Sequence, residues 1–271
     1  AGGSSGSQNT VMGYGALKVN AGGNNNVALG VNAMQSNTTG TYNVAVGQTA
    51  LNSNTTASNN TAVGYQSLYS QTTGGAENTA VGYQAGYSNT GQTLCAIGSG
   101  AAYNNTTGGD NTAVGSYRPL YSNTTGSSNV AIGRQALYSN TTASNNTAVG
   151  YQAGYTNQTG QECTFLGYQA GYTSNVTNAR NVCIGAYSGF SLTTGLQNTF
   201  VGNSGPAGAG YYVTTGSYNT ILGAYTGNQG GLDIRTASNY IVLSDGAGNP
   251  RAWQSSTGGW YQYLSLIHIS E

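Results

Sequence analysis

Charge is what this chain most conspicuously lacks. Of 271 residues only 6 are Lys or Arg and 6 are Asp or Glu, for a formal net charge of zero, where an ordinary globular domain has roughly 25% charged residues. Neither a phosphate-neutralising patch nor a polybasic membrane surface can be built from so few scattered charges, so nucleic acid and anionic lipid are not expected as partners. Proline falls to 3 residues, which argues against collagen and against a Pro-rich linker. No apolar run approaches the ~18 residues of a membrane span. Histidine is reduced to His268, leaving no imidazole elsewhere for a triad, a zinc site or general-base work.

The acids are as unpromising. Glu77, Asp110, Glu162, Asp233 and Asp245 stand too far apart in the sequence to promise a pair on one face. Asp245 in SDGAGN lacks the alternating Asp/Asn ligands and closing Glu of an EF-hand, so it is read as a turn residue. No catalytic residue, metal site or cofactor is expected. Three cysteines, Cys95, Cys163 and Cys183, are an odd number and cannot all pair within one chain. They stand where other copies of a repeat carry Thr, Asn and Ala, so core substitution is the favoured reading. A bond between two coils or two subunits stays open for an extracellular chain.

What is abundant is Gly, at 44 residues, with Asn, Thr and Tyr arranged in a repeat. Words of the form N-[TV]-x-[VIL]-G place a glycine at Gly13, Gly30, Gly47, Gly64, Gly82, Gly98, Gly115, Gly133, Gly150, Gly167, Gly185, Gly202 and Gly223. The usual interval is 17 residues, with 21 before Gly223. A short fixed period held so long predicts a solenoid, each copy one coil stacked on the next. The word alternates like a short strand with two faces. The aliphatic residue before the glycine (Met12, Leu29, Val46, Val63, Val81, Ile97, Val114, Ile132, Val149, Leu166, Ile184, Val201, Leu222) is expected to form the core. The column before that is mostly Ala (Ala28, Ala45, Ala62, Ala80, Ala113, Ala131, Ala148) and lets a backbone approach, either the opposite wall of a thin coil or a neighbouring chain.

Three structural ladders are expected. Asn26, Asn43, Asn60, Asn78, Asn111, Asn129 and Asn146 open their words and should exchange amide hydrogen bonds between coils, a column broken only at Leu94 and Cys163. Gly30, Gly47, Gly64, Gly82, Gly115, Gly133 and Gly150 should turn the chain with φ > 0. Tyr69, Tyr87, Tyr103, Tyr121, Tyr138, Tyr155 and Tyr172 should stack at the coil spacing, on a returning segment such as YQAGY.

N-x-[ST] occurs at Asn37, Asn54, Asn59, Asn104, Asn105, Asn123, Asn140, Asn145, Asn157 and Asn175. Asn37, Asn54, Asn105, Asn123 and Asn140 share one place in the coil, seven or eight residues after the glycine, and are expected to line an exposed edge. Two readings follow: a column of candidate glycosylation sites, or Asn-Thr-Thr-Gly used only as turn chemistry, which is favoured.

SNVAIGRQAL (residues 128–137) and NTAVGYQAG resemble the repeat of YadA-like heads of trimeric autotransporter adhesins and of related phage and virus tail-fibre proteins, over about residues 9–227. The resemblance implies an all-β fold, a left-handed parallel β-roll of about thirteen coils, three chains on a shared axis, and a place at the outer end of a surface fibre. The departure is coil length, since an NTTG-type segment stands between words. SNYIVLSDGAGNPRAWQSSTGGW (238–260) resembles the stretch before the C-terminal chaperone of some phage tail fibres; a capping element is the other reading.

The organisation expected is a linker at 1–8, a β-solenoid at 9–227, a strand-and-turn or capping segment at 228–263, and a final LSLIHISE (264–271). That last run resembles a translated transposon-end sequencing adapter and is set aside from fold reasoning, a genuine apolar strand being the alternative. The start, AGGS, carries no signal peptide and is expected to be processed or truncated. The function expected is a structural fibre segment, extracellular, cell-surface or on a virion, that associates with itself as a homotrimer and presents a polar surface to cell-surface glycans. The alternative is an ice-binding or small-ligand-binding solenoid.

Overall fold

The computed structural model describes residues 6–72, 77–205 and 207–262. His268, LSLIHISE and the first five residues lie outside them. Among the described residues all regular structure is β. Thirteen strands recur once per coil, from Thr10–Met12 to Thr220–Leu222, each paired in parallel with the one before. Parallel neighbours need a crossover connection, and each coil supplies one from its returning segment and NTT loop. The register joins like to like, with Val44 opposite Thr61, Ala45 opposite Ala62 and Val46 opposite Val63. The chain is thus a parallel β-solenoid of about thirteen coils.

The long interval before Gly223 is taken up by a small antiparallel hairpin, Asn203–Ser204 with Ala207–Gly208. The sheet also runs past residue 227. Ile241–Ser244 adds a fourteenth parallel strand, after which Pro250–Gln254 and Trp260–Gln262 pair antiparallel and reverse the direction.

The column before the glycine is not the core, contrary to expectation. Ala28, Ala45, Ala62, Ala80, Ala113, Ala131 and Ala148 are completely buried, while Ile97 and Ile132 are 39% exposed and Leu166 and Leu222 44%. A three-residue strand turns one side chain inward and two outward. The inward space is narrow because the returning wall fills it with Leu17, Met34, Leu51, Leu68, Leu120 and Leu137, all buried. The alanines therefore meet the opposite wall of their own stack.

These inward leucines sit in left-handed backbone, with φ of +51° at Leu51 and +47° at Leu68. That conformation costs roughly 1–2 kcal/mol per residue, against about 1.5–3 kcal/mol gained by burying the side chain. Their backbone N–H groups donate to the next coil, Leu51 to the Ser67 carbonyl at 2.9 Å and Leu68 to Ala85 at 3.0 Å. Where the strand's inward residue grows to Phe165, the facing column shrinks to Gly154 and Gly171, and a Cβ on Gly154 would lie 2.6 Å from the Phe165 ring. The corner glycines behave as expected: Gly47 has φ +133°, and a Cβ there would come 2.5 Å from the Gly64 carbonyl oxygen. Gly115 is the exception, because Ser116 is an extra residue that carries the strand on to Tyr117.

Candidate functional site

The word-opening asparagines form the ladder expected of them. The Asn26 Oδ1 accepts from the Asn43 backbone N–H at 3.0 Å and from Asn43 Nδ2 at 3.2 Å, while Asn43 Nδ2 also donates to the Ala57 carbonyl at 2.9 Å. The amide thus ties strand to strand and strand to loop. Where the column is interrupted, the backbone keeps its share: Leu94 and Cys163 still donate their N–H to Asn78 and Asn146 Oδ1, each at 2.9 Å.

The NTT asparagines form a second ladder, and it is inside. Asn37, Asn54, Asn105, Asn123, Asn140 and Asn157 are fully buried. Asn105 Nδ2 donates to Asn89 Oδ1 at 2.7 Å and Asn123 Nδ2 to Asn105 Oδ1 at 2.6 Å, with a second donation from Asn123 to the Gly126 carbonyl at 2.8 Å. The expected exposed edge is therefore corrected. The nitrogen a glycan would occupy is already bonded in the coil interior, and a sugar there cannot be accommodated in the folded stack. The physical reason is that the NTT turn leaves inward carbonyls unpaired, and an amide is the group that satisfies them. Of the other sequons, Asn59, Asn145 and Asn175 are exposed and Asn104 is half-buried.

The tyrosine column stacks along its whole length. Ring centroids from Tyr69 through Tyr87, Tyr103, Tyr121, Tyr138, Tyr155 and Tyr172 lie 5.0–5.4 Å apart, and the stack continues into Phe190 and Tyr211 at 5.0 Å each. Burial, then the neighbouring phenols, raises the Tyr103 and Tyr155 hydroxyls above the ordinary tyrosine range. A second rank went unnoticed in the sequence, although its signal is there: tyrosine directly after the corner glycine. Tyr65 stacks on Tyr83 at 5.4 Å and Tyr151 on Tyr168 at 5.1 Å. Arg134 joins this rank between Tyr117 and Tyr151, its guanidinium 5.6 and 5.8 Å from the two ring centroids.

The flat outer face of the sheet carries the two outward columns, Thr or Val on one side and Val, Ile or Leu on the other. Cys95 lies on this face, half-exposed, so it is not the core substitution expected. Cys163 and Cys183 are buried as free thiols, with burial pushing Cys163 up to about 11 and Cys183 higher still. Glu162 pairs with Arg180 at 2.7 Å and Asp233 with Arg235 at 2.8 Å, and Asp245 holds Arg251. These pairs hold their carboxyls below the ordinary range, Asp245 at about 2. Among the described residues no three of His, Cys, Asp and Glu come together, and no helix is long and apolar enough to cross a membrane. A hollow of about 610 Å³ lies beside the first strand, against Gly13, Tyr14 and Lys18. Comparison with protein-family models, with curated proteins and with solved structures finds no match.

Proposed function

We propose that the chain is a structural segment of an extracellular or virion fibre, and that copies of it associate as a homotrimer through the outer face of the sheet. The observation that carries this reading is the aliphatic column on that face. From Ile97 and Ile132, each 39% exposed, to Leu166 and Leu222, each 44%, large apolar side chains stand in register on the outside of the stack. A continuous apolar stripe of this length is a usual mark of an interaction surface. The occupant favoured is a second copy, because a straight column of identical period matches another such column rung for rung, and the stripe contains no charge to select a different partner. The polar remainder, rich in Asn, Thr and Tyr, supports a role in presenting a contact surface for glycans. The buried amide ladders, which lock each coil to the next, suit a mechanical element.

Light scattering coupled to size exclusion tests this. Three times the 27.5 kDa chain mass is expected, and the double substitution Val63→Lys, Ile97→Lys is expected to give folded monomers. A monomeric unsubstituted chain would sink the reading. A second reading, an ice-binding or small-ligand module, draws on the in-register pairs Thr61 with Thr79 and Thr147 with Thr164 on the same face. Val27, Val44, Val130 and Val182 interrupt that column, which favours the fibre. Thermal hysteresis in solution would reverse the preference.

A further inference from the structure

One coil interrupts the middle of the outer rank. From Gly64 to Gly167 the positions after the corner glycine carry a large pair, Tyr65-Gln66, Tyr83-Gln84, Tyr117-Arg118 (after the extra Ser116), Arg134-Gln135, Tyr151-Gln152 and Tyr168-Gln169, in every coil but one. After Gly98 they are Ser99 and Gly100, with Ser99 directly opposite Tyr117 in the sheet register. The missing side chains leave a notch of about 210 Å³, with Tyr83 and Tyr117 as its two walls and Tyr103 and Tyr121 along its side.

The height of this notch has a precedent within the molecule. Tyr83 and Tyr117 are two coils apart, roughly 9.6 Å at the strand spacing, as are Tyr117 and Tyr151. In the latter gap lies a single flat group, the Arg134 guanidinium, with a ring on either side. The Ser99 gap spans the same height, but its own coil contributes no large side chain to fill it, and Arg118 lines it instead.

Charge then narrows the choice. Arg118 reaches the notch with its guanidinium 4.8 Å from the Tyr117 centroid and 4.7 Å from that of Tyr121. Among the described residues Arg180, Arg235 and Arg251 have carboxylate partners, whereas Arg118 and the neighbouring Arg134 have none. On a surface almost without charge this makes a local cationic rim, which repels a second cation and favours an anion. A ring with an apolar C–H face and a carboxylate meets both conditions, its C–H groups against tyrosine and its carboxylate against the guanidinium fork.

We propose that the Ser99–Gly100 notch binds one pyranose ring carrying a carboxylate, an acidic sugar of a surface polysaccharide, with Tyr83 and Tyr117 stacking on the ring and Arg118 holding the acid. This rests on the reading of the chain as a fibre that meets glycans. Association is measured by scattering and sugar binding by titration, so the two fail separately.

The test is titration of the full chain with trigalacturonate, 3′-sialyllactose and neutral maltotriose, followed by tyrosine fluorescence and saturation-transfer NMR. One or both carboxylated sugars are expected to bind saturably, more weakly as salt is raised, and at least about tenfold tighter than maltotriose. The two acidic probes separate uronic from sialic acid as the source. Ser99→Tyr completes the rank with the residue its neighbours carry, and is expected to abolish binding without lowering the melting temperature. Arg118→Gln installs the residue found at Gln66, Gln84 and Gln135 in the same left-handed position. It is expected to remove the preference for the acid while leaving the fold intact, and it keeps the test open should Ser99→Tyr misfold. Absence of saturable binding up to about 10 mM, equal affinity for maltotriose, or undiminished binding by either variant would overturn the proposal.

Discussion

The coils up to about Asn157 and those from Cys163 onward have the same outline but opposite interiors. In the first region the inward residue from Ala28 to Ala148 is alanine, faced mostly by a large side chain of the returning wall (Leu17, Met34, Leu51, Leu68, Leu120, Leu137), and the NTT position contributes a buried amide. In the second the inward residues are Phe165, Cys183, Phe200, Ile221 and Val242, the facing leucine becomes glycine, and the NTT amide gives way to Ser174, Leu192, Val213 and Ile234. Asn140 Oδ1 and Ser174 Oγ on either side of the junction are buried without a hydrogen-bond partner, as is Asn54 Oδ1 within the first region. The difference teaches that a coil's cross-section is conserved as a sum. Volume moves from one wall to the other, and polar satisfaction is exchanged for apolar filling, while the backbone path stays the same.

The largest way to break this comparison is to mix the two interiors. Phe165→Ala is expected to cost about 3–5 kcal/mol by leaving a cavity, and Gly171→Leu at least as much, because the new side chain meets the Phe165 ring. Together the two changes recreate the alanine–leucine pair of the first region, so the double variant should be more stable than the sum of the singles by more than about 1 kcal/mol. Chemical denaturation of the four proteins measures the coupling, and strict additivity would show that the two residues do not share one space.

A smaller effect is expected from exchanging the NTT columns. Leu192→Asn buries an amide between Ser174 and Val213, neither of which offers it an amide partner, and should cost about 1–3 kcal/mol. Asn123→Leu should cost a similar amount, since it removes the Asn123 donations to Asn105 Oδ1 and to the Gly126 carbonyl, leaves Asn111 Nδ2 as the side-chain donor to both, and takes from Asn140 Nδ2 its Asn123 acceptor. Melting temperatures report both, and a neutral Leu192→Asn would mean that the second region is wetter than its packing.

The smallest effect concerns pH and the tyrosines that the regions share. Tyr103 and Tyr155 in the stack, and the buried Tyr225, whose hydroxyl donates to the Leu232 carbonyl at 2.7 Å, all have hydroxyls raised above the ordinary value. Burial is the first cause in each case. A raised folded-state pKa stabilises below the unfolded value, about 10, and that contribution is lost as pH climbs through the folded value. The melting temperature should therefore hold to about pH 10 and then fall. Tyr225→Phe should flatten the fall, and an unchanged slope would remove Tyr225 from the account.

Much of this was legible in the residues. The period, the corner glycines, the word-opening Asn ladder and the Tyr69-to-Tyr172 stack follow from counting, because stacked identical coils bring each residue beside its own copy. The facing of the columns was not. Val-Ala-Val and Thr-Ala-Val alternate equally well either way, and apolarity alone favoured the wrong column as core. The sequons misled for a related reason: Asn-Thr-Thr-Gly reads as surface turn chemistry, yet its amide points inward to inner carbonyls that no local pattern announces. Cys95 looked like Cys183, but one is on the outer face and the other inside, since they sit one residue apart in the strand alternation. The Ser99–Gly100 notch was visible only as a departure from YQ, a gap whose walls come from the coils before and after.

The sequence by itself determined that the chain stacks, with what period and in which register, since a one-residue slip would turn every side chain to the other face. Only the tertiary structure decided which face is inside. That choice depends on what the opposite wall of the coil has room for, an alanine against Leu51 or a phenylalanine against Gly171, and those partners are joined by packing across the coil rather than by neighbourhood along the chain.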